Sequence, residues 1–476
     1  MKIPENVAEK LLFLTKKCPL WVTGGTVRDA LLQRESKDLD LTVPSQAHFW
    51  ASLFAEQVNA KLVPLDEEEE VYRVVLPEGF WVDFSAFRKK STGIEEDLLY
   101  RDFTVNALAV RFEEFLKPPA SWSIVDPTGG QKDLWRRLLR AISRENLRDD
   151  PLRLLRAYRL LAELDFVLEE KTRLWVCELA PEIGKVAPER IGAEIKALFA
   201  QSAGEAVSLM ATDGLLWVLF PELEKTKGVA QPSFHHLDVW GHLLLSLEMA
   251  DLVLADPYRY FGPPEGDDPF RLALSEPEAP LGVRLAALFH DVGKPGTFAV
   301  RHRITFYEHD RLGAEIFEAI GERLRFSKKF TRRVAHLIRH HMRPFHLLRE
   351  FRQGRLTKRA MRRLLKDVPD YVLLFLVAMA DSLASAGPDK EEGLESSLAD
   401  LFWEIHRFRE ETFKVQERQR LVTGRDLIDL FGLEPGPIFR ELLEAVEEAR
   451  AEGQIKTREE ALDFLAHLIA KRFSQT

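Results

Sequence analysis

Cysteine is nearly absent from this chain of 476 residues: Cys18 and Cys177 are the only two. They lie too far apart in sequence to form a metal-type pair, and a reducing interior is the expected setting. Long apolar runs are missing too. The longest, "YVLLFLVAMA" at 371–380, is too short to span a bilayer, so no membrane anchorage is expected. The opening "MKIPENVAEK" is charged and helical in pattern, unlike a signal peptide, which makes a cytoplasmic location the expectation. With no low-complexity tract or fixed-period repeat, the chain reads as about two to four globular domains.

An excess of positive charge is lacking as well, and a net charge of −9 argues against a nonspecific nucleic-acid binder. The distribution qualifies that exclusion. Residues 136–159 hold eight arginines against three acids, and residues 323–363 hold fifteen Lys/Arg against Glu350 alone. Acid gathers elsewhere, as in "DEEEE" at 66–70. Such polarity suits a polyanion gripped in one place and released; solvated helix faces are the bland alternative.

Short strands alternate with helices over the first 125 residues: "LWVTG", "DLDLTV", "KLVPL", "VYRVVLP" and "FWVDFSAF" predict five strands. After the turn "DPTGGQKDL" (126–134) nearly everything has helical spacing. Boundaries are expected near 135, 225 and 400, giving segments 1–135, 136–225, 226–400 and 401–476.

"LWVTGGTVRDALLQRESKDLDLTV" (20–43) concentrates unusual chemistry. Residues two apart in a strand share a face, so Asp38 and Asp40 project together. Paired carboxylates repel unless a cation sits between them, and a small, oxygen-rich anionic site suits Mg²⁺, which keeps substrate phosphates among its ligands. Gly24 and Gly25 end a strand and open a helix, where backbone N–H groups can face a phosphate, and Arg28 can add a charge-assisted contact. The alternative is a glycine turn beside a solvated acidic edge.

"GGTVRD" followed by "DLDL" resembles the nucleotidyltransferase signature of the DNA polymerase β superfamily, and more narrowly the class II tRNA CCA-adding enzyme and bacterial poly(A) polymerase family. "YRDFTVNALAV" (100–110), "DPTGGQKDL", "DDPLRLLRAYRL" (149–160) and "ERIGAE" (189–194) follow in that family's order. The resemblance implies an α+β protein: a five-stranded mixed head bearing the metal site, then helical neck and body. It implies catalytic roles for Asp38, Asp40 and, where such folds often carry a third carboxylate, Asp83. It implies nucleotide binding by Gly24, Gly25, Arg28, Arg101 and the templating motif of Asp149, Asp150 and Arg153, with Arg156 and Arg159 serving the triphosphate or the packing of that helix. The partners implied are tRNA, CTP and ATP.

"DDPLR" supports a base choice on chemistry alone. A carboxylate at Asp150 only accepts and a guanidinium at Arg153 only donates. Cytosine and adenine both present an amino donor beside a ring acceptor and fit this pair, whereas uracil and guanine meet like against like. Leaving buried polar groups unpaired can reject a base by about 10⁴-fold or more.

Two departures from the family pattern matter. Tyr100 replaces the first of two basic residues before Asp-Phe-Thr, and Asp149 replaces a glutamate. Between "FSAFR" and "EEDLLYRDFT" only "KKSTGI" intervenes, where full CCA-adding relatives carry a longer flexible loop. The shortening favours addition of two C residues, with the terminal A left to a separate A-adding enzyme, over complete CCA addition and over poly(A) synthesis.

A second constellation runs through "HLDVWGHLLLSLEMA", "LAALFHDVGKPGT", "FYEHDRLGAEIF", "LIRHHMRPF" and "MADSLAS". Histidine and aspartate recurring on apolar helices suit a divalent metal such as Mn, Fe, Ni or Zn, with Mg²⁺ as an alternative, and hydrolysis at a phosphoryl group. The pattern resembles an HD-type phosphohydrolase domain, which assigns metal ligation to His242, His290, Asp291 and Asp381, with His309 and His340 as extra or supporting ligands. The rival readings are an enzyme that is mainly a phosphohydrolase with a regulatory head, and a noncatalytic RNA-binding protein.

Overall fold

The computed structural model describes residues 3–35, 38–77, 79–264, 266–300, 302–413, 421–433, 436–451 and 454–473. It divides into two compact units, one of residues 1–225 with 320–327 and one of residues 226–319 with 328–476.

The first unit opens with helix α1 (Glu5–Thr15), then strand β1 (Trp21–Thr23), helix α2 (Gly25–Leu31), β2 (Asp38–Val43), α3 (Ala47–Val58), β3 (Lys61–Asp66), β4 (Val71–Val75) and β5 (Trp81–Ala86). The sheet has six strands rather than the expected five, in the order β3-β4-β5-β2-β1-β6. The extra strand, β6 (Ala109–Arg111), pairs antiparallel with β1. Three residues give no readable alternation, so β6 was hidden inside a segment legible only as a motif. β2 and β5 run parallel while the other pairings are antiparallel, making the sheet mixed.

Alternation sorts the two central strands. Leu39, Leu41 and Val43 of β2 and Val82, Phe84 and Ala86 of β5 point into a core with Val7, Leu11 and Phe54 of the covering helices. Asp38, Asp40 and Thr42, with Asp83 and Ser85, are left for the opposite face. Burial of the apolar set fixes this register, because a one-residue slip would drive the carboxylates into the core.

Farther along, α4 (Ile94–Leu99) precedes β6, and two helices follow it, α5 (Arg144–Asp149) and α6 (Leu152–Leu164). Asp150 adopts extended backbone angles and Pro151 starts α6, so "RENLRDDPLRLL" breaks into two helices at the templating motif. α6 packs on α7 (Pro188–Phe199).

In the second unit α8 (Val239–Ala255) and α9 (Glu278–Phe289) pack with Lys328–His340 around Tyr371–Ala384. The longest apolar run of the sequence thus forms a central helix with nearly every side chain buried. No helix among the described residues is long and apolar enough to cross a membrane. Val422, Leu427, Leu442, Val446 and Leu465 form a separate small core near the end of the chain.

Candidate active site and a buried histidine–aspartate cluster

β2 and β5 align Asp40 opposite Asp83, and Asp38 projects from the same face of β2 two residues earlier. Burial, the Asp83 charge and the Asp38 charge together push the Asp40 carboxyl up to about 6, against the opposing pull of Arg101 and Arg156. Arg73 on β4 donates to both oxygens of Asp83 at 2.8 Å each, which holds that carboxylate still. A carboxyl that resists ionising beside two other acids is the electrostatic setting a divalent cation relieves, so this oxygen donor set fits Mg²⁺.

Behind the acids, Gly24 takes φ 67, a left-handed conformation that favours glycine. A Cβ there would stand 3.1 Å from an Arg101 guanidinium nitrogen and 3.3 Å from Asp40 Oδ2. Arg101 is buried and donates from Nη2 to the hydroxyls of Thr23 and Thr42 at 3.0 Å, while Asp97 pairs with it at 3.2 Å. Burial, then the like charge of Arg88, brings the Arg101 guanidinium down to about 10, which leaves it cationic at neutral pH.

These residues line a cavity of about 710 Å³ that also reaches Asp149, Asp150, Arg153 and Arg156. Arg153 Nε lies 4.0 Å from Asp150 Oδ2, and its Nη1 donates to the carbonyls of Asn146 and Arg101 at 3.1 and 3.4 Å. Arg156 pairs with Asp102 at 3.0 Å. Despite burial, which opposes ionisation, Arg156 and Arg153 draw the Asp102 carboxyl down to about 2.

The second unit gathers His242, His290, Asp291 and Asp381 from α8, the end of α9 and Tyr371–Ala384, and all four are buried. His242 Nε2 is 3.0 Å from Asp381 Oδ1, and His290 Nε2 is 3.3 Å from Asp291 Oδ2. His242, His290 and Asp381 offer ligand atoms within 4.8 Å of one another, as do His290, Asp291 and His341. Buried imidazoles and carboxylates converging in this way fit a divalent transition metal.

The sequence matches the Poly A polymerase head domain over residues 20–140, the "Probable RNA and SrmB- binding site of polymerase A" over 165–227, the HD domain over 266–386, and tRNA nucleotidyltransferase domain 2 over 390–465. A CC-adding tRNA nucleotidyltransferase of Thermus thermophilus is 36% identical over 465 residues, covering 95% of this chain and 94% of that protein. An A-adding tRNA nucleotidyltransferase of Deinococcus radiodurans is 35% identical over 463 residues, covering 93% and 94%. The chain belongs to the tRNA nucleotidyltransferase family. Its fold is similar to that of a Thermotoga maritima CCA-adding enzyme complexed with tRNA, with a TM-score of 0.57 at 20% identity over 97% of this chain and 94% of that one. A CCA-adding enzyme solved with CTP gives 0.59 at 20% identity over 98% and 96%. The nucleotidyltransferase and HD domains both imply dependence on divalent metal.

In this tRNA nucleotidyltransferase, three residues expected at the sites are placed differently. Arg28 is buried, with Nη1 donating to Asn106 at 2.8 Å and its other nitrogens to Asp29 and Glu163. It ties α2 to distant segments and does not line the cavity. Arg159 likewise gives its guanidinium to Glu163 and Glu194, clamping α6 to α7. His340 stacks edge-on with His336 at a ring separation of 4.4 Å, whereas its neighbour His341 faces the metal cluster. The helix ends at His340, so the following residue turns inward.

Several cavity residues escaped the sequence reading. Lys89, from the short "KKSTGI" connection, pairs with Asp149 at 2.5 Å. Arg190 of α7 pairs with Asp150 at 3.0 Å. Both sit inside segments noted for length or motif, but only the fold brings them beside the templating acids.

Proposed function

We propose that this chain adds C residues to the 3′ end of tRNA from CTP without a nucleic-acid template, in the cytoplasm. The observation that carries the reading is that Asp38, Asp40 and Asp83 open on the same cavity as Asp150 and Arg153. The acids would hold Mg²⁺, which when bound lowers the cost of developing charge on the attacking 3′-hydroxyl and departing pyrophosphate. Gly24, Gly25 and Arg101 offer the triphosphate backbone N–H groups and a fixed positive charge. Asp150 accepts from the cytosine amino group while Arg153 donates to its ring acceptor. Position and electrostatics, rather than a covalent intermediate, then account for the acceleration.

Addition of C alone is favoured by the connection at 88–93. Arg88 N donates to Asp97 at 2.9 Å, Ser91 Oγ donates to the Arg88 carbonyl at 2.6 Å, and Lys89 is held on Asp149. So short and anchored a segment leaves little slack for a site that must re-form for a purine. The Deinococcus relative favours a second reading, addition of the terminal A. The buried His–Asp cluster supports a further phosphohydrolase activity in residues 226–400, with 1–135 as head and 136–225 as neck and body.

The deciding experiment supplies two tRNAs, one lacking the 3′ end and one ending in CC, with CTP, ATP or both, and reads product length to one nucleotide. C addition extends the first by two and leaves the second unchanged. Extension of the second alone by ATP selects the A-adding reading. Extension of the first by three selects complete CCA addition, and long A tracts select poly(A) synthesis.

A further inference from the structure

The histidine–aspartate cluster holds more donors than the four of the HD pattern, and they fall into two groups about a single carboxylate. On one side, Asp291 Oδ2 faces His290 Nε2 at 3.3 Å and His242 Nε2 at 3.8 Å, and Asp381 Oδ1 lies 3.0 and 3.6 Å from the same two rings. On the other, Asp291 Oδ1 faces His309 Nε2 at 3.2 Å and His341 Nε2 at 3.7 Å. That second oxygen is buried and receives no hydrogen bond of good geometry. Lys294 sits on the first side, its ammonium 2.5 Å from Oδ2.

The ring nitrogens settle which atoms are donors to metal. A backbone carbonyl only accepts, so Nδ1 of His290, His309 and His341 carries a proton where it meets Ala287 O at 2.9 Å, Phe306 O at 2.7 Å and Ile338 O at 2.7 Å. In the neutral ring Nε2 is then a bare lone pair. His309 Nε2 lies 3.3 Å from His341 Nε2, and His242 Nε2 lies 3.3 Å from His290 Nε2. Neutral rings have no proton to share across the 309–341 contact, and a cation between the rings turns repulsion into ligation. The carbonyls supply the outer hydrogen bonds that orient metal-binding imidazoles.

We propose that this cluster binds two divalent transition-metal ions bridged by Asp291, one with His242, His290 and Asp381, the other with His309 and His341. The proposal rests on the reading of 226–400 as a metal-binding phosphohydrolase domain and extends it to a second ion. Imidazole with carboxylate suits Mn²⁺, Fe²⁺ or Zn²⁺. A pair of ions sharing a carboxylate suits phosphate esters, whose attacking and leaving oxygens each need a counter-charge.

The test uses the full chain carrying D38N and D40N, so that the head acids do not contribute, stripped with chelator and titrated with Mn²⁺. Calorimetry and metal analysis after desalting should give two equivalents per chain, with an exchange-coupled Mn–Mn spectrum by electron paramagnetic resonance. H309A and H341A should each lower this to one equivalent and abolish the coupling. One equivalent unaffected by either variant overturns the second ion and leaves the one-ion reading standing. Two equivalents unaffected by both also overturn it. No retained metal removes both readings. If the variants do not fold, the parent spectrum decides: coupled ions support the proposal and isolated Mn²⁺ overturns it.

Discussion

Asp40 and Asp83 stand directly opposite each other on parallel strands, and Arg73 locks only the second of them in place. The two carboxylates therefore have different duties. Asp40, with Asp38, is the acid whose ionisation the cavity resists, whereas Asp83 is a fixed charge already matched by a guanidinium. D40A should abolish nucleotide incorporation. D83N should lower kcat by about 10²–10³-fold with little change in KM for CTP, as expected for a group felt mainly in the transition state. Steady-state kinetics on both variants checks the contrast; equal effects on KM alone would show that Asp83 serves only nucleotide binding.

The Asp40 carboxyl, raised to about 6 by burial and its acidic neighbours, gives a pH dependence of defined sign. Between about pH 4 and 6 the folded chain holds a proton that the unfolded chain has released, so this group's contribution to stability falls as pH rises through that window. Cation binding runs the other way. It needs the carboxylate, so Mg²⁺ affinity should climb toward pH 6 and level off above it, with up to about one proton released per ion on the acidic side. Calorimetry at pH 5.5 in two buffers of different ionisation enthalpy measures that proton. Its absence would mean that Asp40 is already ionised in the free protein.

How much of this was readable beforehand depended on sequence distance. Asp38 and Asp40 share a strand, so period-two geometry alone pairs them. Asp83 meets them through a strand pairing 43 residues away in sequence, from Asp40 to Asp83, and a register between strands is invisible in one strand's pattern. Arg28 read as a phosphate ligand because it follows the glycines, but Asn106 and Glu163 claim it from 78 and 135 residues away. The choice of His340 over His341 failed for the opposite reason: adjacent residues differ by about 100° around a helix, and one residue decides which face is met. The head's alternating strands and the helical character of the rest were legible because burial imposes them locally.

Asp102 supplies an acid-stability prediction. Arg156 and Arg153 overcome the cost of burial and hold its carboxyl near 2, and Phe103 N at 2.8 Å and Asn106 Nδ2 at 3.1 Å donate to it. A depressed carboxyl stabilises the fold above its unfolded value near 4, and that contribution is lost as pH falls from about 4 to 2. Arg156 is partly exposed, so screening discounts the shift to about 1–2 kcal/mol. D102N should therefore be less stable than the parent at pH 6, with the gap closing below pH 4 in denaturant titrations. A gap independent of pH would assign the loss to packing.

Base choice gives the sharpest outcome, because it reads hydrogen-bond polarity directly. Asp150 Oδ2 accepts from Arg190 at 3.0 Å and Oδ1 from Leu152 N at 3.3 Å, and each oxygen retains a lone pair for a base amino group. In D150N the side chain gains a donor that uracil's carbonyl can accept. The ratio of kcat/KM for CTP over UTP should fall by about 10²-fold or more, the discrimination such polar mismatches carry. R190A leaves the acceptor chemistry intact and removes only its orientation, so KM for CTP should rise by about tenfold while UTP stays excluded. If R190A admitted UTP as readily as D150N, the selecting element would be the shape of the cavity around Asp150 rather than its charge.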